Sequence, residues 1–358
     1  MNPTRKIYLD HIRWVTVFLV LVYHVCFIFN GVGVLGGIPE SKNIIFFDAL
    51  TYVLYPWFMV LLFVVAGISA RYSLQKRTGK EFIRERVAKL LIPSTLGLFV
   101  IHWITGYLHI KIGGGLDLIP TFLLYPISAI SGIGPLWFIH MLFLFSCVLV
   151  LLKKLDKADR IWNMCGKVNI LLVVFLFIFI WGASQILNMP LLTMYRFGIY
   201  FTAFLIGYYV FSHEKVQIAI ESIRIPMLIL AVTGAIFYTF HYYGNDYTDP
   251  KCLQSFITNI YLWIVVLAVL GCARKYFNRE TAFTRYMIKS SFGIYILHYL
   301  VLVVTCSILH YHCQFPAIWN YIIAILVEFI VTFALYEGIK RIPVIRYVVL
   351  GQKHTSNK

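Results

Sequence analysis

Tyr8-Leu9-Asp10-His11-Ile12-Arg13 opens a largely apolar run that reaches His24. As a helix, eleven residues at roughly 100° each end about 20° past three full turns, with a rise of roughly 16 Å. Arg13 and His24 therefore share one face at two depths. If this helix crosses a bilayer, both side chains are costly there unless they face a protein interior. The pair points to a site that joins one membrane surface to a reactive imidazole deeper in.

The rest of the chain places that helix in a membrane. Of its residues 60% are hydrophobic and only 13% charged, against about half and a quarter in soluble domains. Apolar runs near 9–29, 45–70, 90–108, 134–152, 169–187, 193–211, 226–242, 256–273, 291–309 and 318–338 read as ten spans. Most approach the ~20 residues that cross a hydrocarbon core. The expected fold is an all-α polytopic membrane protein. One membrane domain covers 1–350, and the tail 351–358 is read as disordered. If alternate loops lie on alternate sides, 27 of the 31 Lys and Arg residues fall on the side of the N-terminus. The positive-inside rule then puts both termini in the cytoplasm. The net charge of +16 comes largely from these inner loops, which face anionic lipid heads, so it calls for no nucleic acid. Asp10, Arg13 and His24 interrupt the first apolar run, and no A-x-A-like site follows it. It is therefore read as a retained helix and not a cleaved signal peptide.

Two loops stand out. Arg71 to Lys89 holds seven basic residues in nineteen. Phe82, Ile83, Val87, Leu90 and Leu91 recur there at helical spacing, as in a surface helix that turns into the third span. Such a run is a lipid-facing solvated loop or a polyphosphate site, since Arg forks grip phosphate oxygens. The loop 109–135 carries Gly113-Gly114-Gly115 and then an apolar piece around Phe122, read as re-entrant or interfacial. The seven cysteines include no CxxC pair. Cys252 and Cys313 fall in outer loops, where a disulfide is open but not demanded.

Inside the spans, His24 has the chemistry of a general base, and Arg13 can snorkel toward the cytoplasm. Glu328, near the middle of the tenth span, requires protonation or a partner, and Arg13 or His298 is in reach if the first and last spans touch. His102, His109 and His140 fall near outer ends and read as interface anchors. Arg196 opens the sixth span and faces either a lumen or an interface. Trp137 is either a belt residue or a surface for stacking on a sugar. No spacing fits a metal site.

These pieces resemble the integral-membrane acyltransferase-3 family. Arg13 to His24 is similar to its arginine–ten residues–histidine signature, with Leu9-Asp10 as lead-in. Phe63-Val64-Val65-Ala66-Gly67 resembles its Phe-x-x-Ser-Gly ending, and Arg84-Glu85-Arg86-Val87-Ala88-Lys89 through Pro93 its basic entry to the third span. Gly134-Pro135-Leu136-Trp137-Phe138-Ile139 and Ser291-Phe292-Gly293-Ile294-Tyr295-Ile296-Leu297-His298 complete the set in order. The stretch Leu61–Ile101 resembles most the subgroup of the glucan biosynthesis protein C type, a periplasmic-glucan succinyltransferase. Lys89 stands where an Arg is usual, and His140-Met141 where some members carry a Glu.

The resemblance implies an acyltransferase in a bacterial plasma membrane. It would move an acetyl or succinyl group from cytoplasmic acyl-CoA to a hydroxyl of an extracytoplasmic glycan or lipid-linked saccharide. No permanently bound cofactor is implied; acyl-CoA is a co-substrate. His24 would be the base or acyl carrier with Arg13. Arg71, Arg84, Arg86 and Lys89 would hold CoA phosphates, and Trp137, His140 and Arg196 the acceptor. Asp10, His298 and Glu328 would support the site. A multi-pass transporter or flippase for an envelope precursor fits the same spans and midplane Glu, although no two-fold repeat is present. A non-catalytic partner in an envelope-polymer complex is a third reading. Acyl-CoA turnover separates the first from the other two.

Overall fold

Helices alone make up the fold of the computed structural model, which describes residues 6–34, 36–38, 43–189 and 194–352. Among the described residues there is no β-strand, only one isolated bridge between Asn188 and Arg196. The chain is an all-α polytopic membrane protein. Among the described residues eight helices are long and apolar enough to cross a bilayer: Ile7–Ile28, Ile45–Leu74, Gly79–Ile112, Gly134–Leu155, Arg224–Tyr242, Phe256–Tyr276, Ala282–His312 and Ala317–Ile339. The fifth and sixth expected spans are apolar but shorter, Ile170–Ser184 and Phe197–Tyr209. The latter's 13 residues rise only about 20 Å. The apolar piece of the loop 109–135 is also a helix, Thr121–Ser131. Residues 353–358 of the expected disordered tail lie outside the described residues. Gly351 closes the last helix, Pro343–Leu350, in the left-handed region at φ +63°, as C′ glycines do.

The basic loop after Leu74 is organised by a local signal that its charge obscures. Thr78-Gly79-Lys80-Glu81 is a capping box. The Thr78 N–H donates to Glu81 Oε2 at 2.9 Å, and the Glu81 N–H donates to Thr78 Oγ1 at 3.3 Å. A continuous helical segment then runs into the third span, as expected.

The chain folds as two compact units. The first comprises Met1–Leu19, Thr51–Ile83 and Leu144–Lys289. Within it, Phe58–Leu74 and Phe197–Tyr209 cross at glycines on both helices. A Cβ on Gly67 would meet the Phe204 carbonyl oxygen at 2.0 Å, and one on Gly207 the Val64 carbonyl at 2.1 Å. Such small-residue crossings let membrane helices approach backbone to backbone. Phe63 stacks on Tyr200 at 4.9 Å beside the crossing. Arg224–Tyr242 packs on Phe256–Tyr276, with the Tyr238 and Tyr261 rings stacked at 4.9 Å.

The second unit comprises Val20–Leu50, Arg84–Phe143 and Ser290–Lys358. Its core gathers Val25, Ile28, Phe29, Tyr299, Leu302, Val303, Cys306, Tyr321 and Ala324. Ala317–Ile339 buries only the stripe Tyr321, Ala324, Glu328, Thr332 and Tyr336. These recur every three or four residues, so the rest of the helix is free to face lipid. Trp103–Ile112 and Thr121–Ser131 touch through Gly106, whose Cβ would lie 1.8 Å from the Ser128 carbonyl.

Candidate functional site

Unit two brings His24 and His298 together. His298 Nε2 lies 3.3 Å from His24 Nδ1, and the ring centroids are 5.2 Å apart. Carbonyl oxygens only accept, so any ring nitrogen bonded to one must carry hydrogen. His24 Nδ1 donates to the Val20 carbonyl at 2.8 Å, and His298 Nδ1 to the Tyr295 carbonyl at 2.7 Å. In its neutral form each ring has one N–H. His298 Nε2 is therefore bare and takes a weaker share of the His24 Nδ1–H. His24 Nε2 is bare too and has no hydrogen-bond partner among the described residues. His24 is half-buried and His298 fully buried. The first and ninth spans thus meet through these two rings, a contact the sequence reading does not anticipate, and one lone pair is left ready to take a proton.

Tyr299 sits beside the pair. Its ring is 5.0 Å from His24 and 5.7 Å from His109. Gly134 makes room for it: φ is +36° there, and a Cβ would touch the Tyr299 ring at 2.8 Å. One residue on, the Pro135 carbonyl accepts from the Tyr295 hydroxyl. The Gly134–Trp137 element therefore backs the Tyr295–Tyr299 turn. Trp137 is nearly buried, and His140 Nδ1 is buried without a partner.

Of the two conditions expected for Glu328, protonation or a partner, the second is not met among the described residues. Neither carboxyl oxygen has a hydrogen-bond partner among the described residues, although the side chain is fully buried. No pairing with Arg13 or His298 forms. Thr332, one turn on, is likewise buried and unpartnered. Replacing Glu328 with Leu removes a polar group that is hydrogen-bonded to nothing. We expect it to raise the melting temperature by a few degrees, since such a group costs about 1–3 kcal/mol. A thermal melt in detergent checks this, and a lowered midpoint would show a hidden partner.

Unit one contains a cavity of about 670 Å³ lined by Lys6, Asp10, Arg13, Ser69, Tyr72, Lys76, Arg77, Trp162, His213 and Glu214. That is the size of small-ligand sites. Four cations face two carboxylates here. Arg13 donates to Asp10 Oδ1 at 2.5 Å and to the Ser69 hydroxyl. Lys6 pairs with Glu214. Burial pushes the Glu214 carboxyl up, but its bonds to Lys6 and Arg274 outweigh this and hold it below the usual range. Burial pushes the His213 imidazole down, so that ring adds no charge near neutrality. Lys76 and Arg77 are exposed.

The expected phosphate set is divided. Arg71 is buried in unit one. It forks onto Asp159 at 2.8 and 3.1 Å and lies 4.2 Å over the Trp162 ring. Its Nη1 and Nη2 donors are committed to protein while Nε has no partner among the described residues, and it does not line the cavity, whereas Lys6, Arg13, Lys76 and Arg77 do. Arg84, Arg86 and Lys89 belong to unit two. Arg84 and Lys89 are exposed, and Lys89 bonds Glu85 at 2.6 Å. Of the acceptor residues, Trp137 and His140 are in unit two. Arg196 is in unit one, buried, and donates to the Leu253 carbonyl at 3.0 Å. It ties the start of Phe197–Tyr209 to the end of Pro250–Leu253. All seven cysteines are free, Cys252 and Cys313 included.

The acyltransferase-3 family model, described as an acyltransferase domain, matches residues 6–337. No curated protein and no solved structure matches the chain.

Proposed function

We propose, because the chain belongs to the acyltransferase family whose model it matches across both units, that it moves an acyl group from cytoplasmic acyl-CoA to a hydroxyl of an extracytoplasmic glycan or envelope polymer. The group is acetyl or succinyl, and the glucan biosynthesis protein C type supplies the precedent for succinyl. Both termini are cytoplasmic in this reading, and the membrane is the plasma membrane. The observation that carries it is the bare His24 Nε2, held by the Val20 carbonyl on the opposite ring nitrogen. This nitrogen takes the hydroxyl proton as the oxygen attacks the thioester carbonyl. The C–S bond breaks, and the thiolate leaves with the proton from His24. The same nitrogen can instead carry the acyl group before the hydroxyl arrives. An acyl adduct on His24 in a rapid quench without acceptor would identify that route.

The two parts of the task fall to different units, joined by the helix Ile7–Ile28. Unit two supplies the base. Unit one supplies cations for the donor's phosphates, and the cavity containing Arg13 replaces Arg71 in that role. Lys76→Ala with Arg77→Ala should raise the KM for acyl-CoA about tenfold, as for a lost charge-assisted contact of ~1.4 kcal/mol. The kcat should stay near wild type, and the salt dependence of KM should flatten. Purified protein in detergent with labelled acetyl-CoA or succinyl-CoA provides the assay. An unchanged KM removes the cavity from donor binding. Absence of any turnover by wild-type protein favours the transporter reading.

A further inference from the structure

We propose that the helix from Leu98 to Ile112 presents an acceptor-binding stripe of His102, Thr105 and His109, completed by Ser128, that takes a neutral polyhydroxylated ligand. This rests on His24 being the base of the reaction. The three helix residues are spaced by three and four, so they share one face. His102 Nε2, Thr105 Oγ1, His109 Nε2 and Ser128 Oγ are each buried without a hydrogen-bond partner among the described residues. His102, Thr105 and Ser128 are at most 2% exposed. Buried polar groups in folded proteins are nearly always satisfied, so four orphans on one stripe and its neighbour mark missing partners.

The backbone is shaped for this placement. Val87–Leu91 and Leu98–His102 are π-helical turns, a distortion that re-aims side chains and concentrates at functional sites. Gly106 and Gly132 let the neighbouring helix come within backbone contact. A Cβ on Gly132 would lie 2.0 Å from the His102 carbonyl oxygen. That approach brings Ser128 to the stripe. The stripe also adjoins the base. The His109 ring is 5.7 Å from Tyr299, which is 5.0 Å from His24.

The chemistry of the set selects its ligand. A neutral imidazole and a hydroxyl each both donate and accept. An anion or cation would find no countercharge among these four groups, whereas a sugar ring offers several hydroxyls to match them. One hydroxyl would face His24 Nε2 while its neighbours bond the stripe. His102 and His109 would then be acceptor-binding residues and not interface anchors.

The test compares Thr105→Val, Ser128→Ala, His109→Phe and His109→Gln with wild type, in membranes and as purified protein. Thr105→Val removes a hydroxyl with little change of shape, so it keeps the fold. Membranes receive labelled acetyl-CoA or succinyl-CoA, and label on polysaccharide is counted. Each of Thr105→Val, Ser128→Ala and His109→Phe should lower transfer about tenfold, with the KM for acyl-CoA unchanged. His109→Gln, which keeps a donor and an acceptor, should recover most of it. Purified wild type should gain thermal stability from cellobiose, a neutral polyol probe, and Thr105→Val should lose that gain. Unchanged transfer in the variants, with water alone filling the stripe, overturns the proposal. So does a loss shared equally with acyl-CoA affinity, or no cellobiose effect on wild type. If wild type labels no polysaccharide at all yet cellobiose protects it, the enzyme reading fails and the polyol site stands.

Discussion

His24→Gln yields a folded, membrane-inserted protein whose acyl transfer is slower by about 10²–10⁴, the contribution of a general base. Glutamine fills similar space and can still donate to the Val20 carbonyl, which now takes the His24 Nδ1–H at 2.8 Å. Its amide does not accept a proton near neutral pH, so only the basic Nε2 is lost. His298→Gln should cost less, about tenfold in rate. His298 Nε2 is a secondary partner at 3.3 Å, and the Val20 carbonyl alone keeps the His24 tautomer. The comparison is kcat for labelled acyl-CoA, with thermal melts as the folding check. Near wild-type turnover in His24→Gln would make the imidazole structural.

The helical class and the shared face of Arg13 and His24 are legible in the sequence because both depend on local pattern. Apolar runs set the spans, and the Arg13–His24 spacing set a shared helix face. The meeting of His24 with His298, 274 residues apart, is not legible, because it depends on how the first and ninth spans pack. What stayed hidden depends on tertiary partners. Arg71 reads as one cation among seven in its loop. Asp159, which occupies its fork, is 88 residues away in a loop with no distinguishing motif. His102 and His109 read as interface anchors because sequence gives their spacing but not their burial. Glu328 calls for protonation or a partner because an isolated buried carboxylate is costly, and nothing in the sequence shows that the stripe around it supplies no partner. The Thr78–Glu81 capping box is readable from spacing alone, but the charge of its segment masks it.

Arg71→Ala should destabilise unit one by about 3 kcal/mol and leave the KM for acyl-CoA near wild type. Removing one member of a buried ion pair costs about 3–5 kcal/mol because the other is left uncompensated. The low end applies here, since the Asp159 side chain is 32% exposed against 5% for Arg71. The variant also loses the guanidinium over Trp162, whose ring stacks on His213 at 3.9 Å. A phosphate-binding Arg71 would show the opposite pattern, with a raised KM and an unchanged melt. Acid supplies a second readout. The bond to Arg71 holds the Asp159 carboxyl below the usual carboxylate range. A depressed folded-state value stabilises the protein at pH above the unfolded value of about 3.9, and that stability is lost as pH falls through the depressed value. The gap in melting temperature between wild type and Arg71→Ala should therefore be full at pH 6–7 and shrink below about pH 4. A gap that persists unchanged to the lowest pH at which the protein stays folded would show that Arg71 stabilises through its packing on Trp162 and not through Asp159.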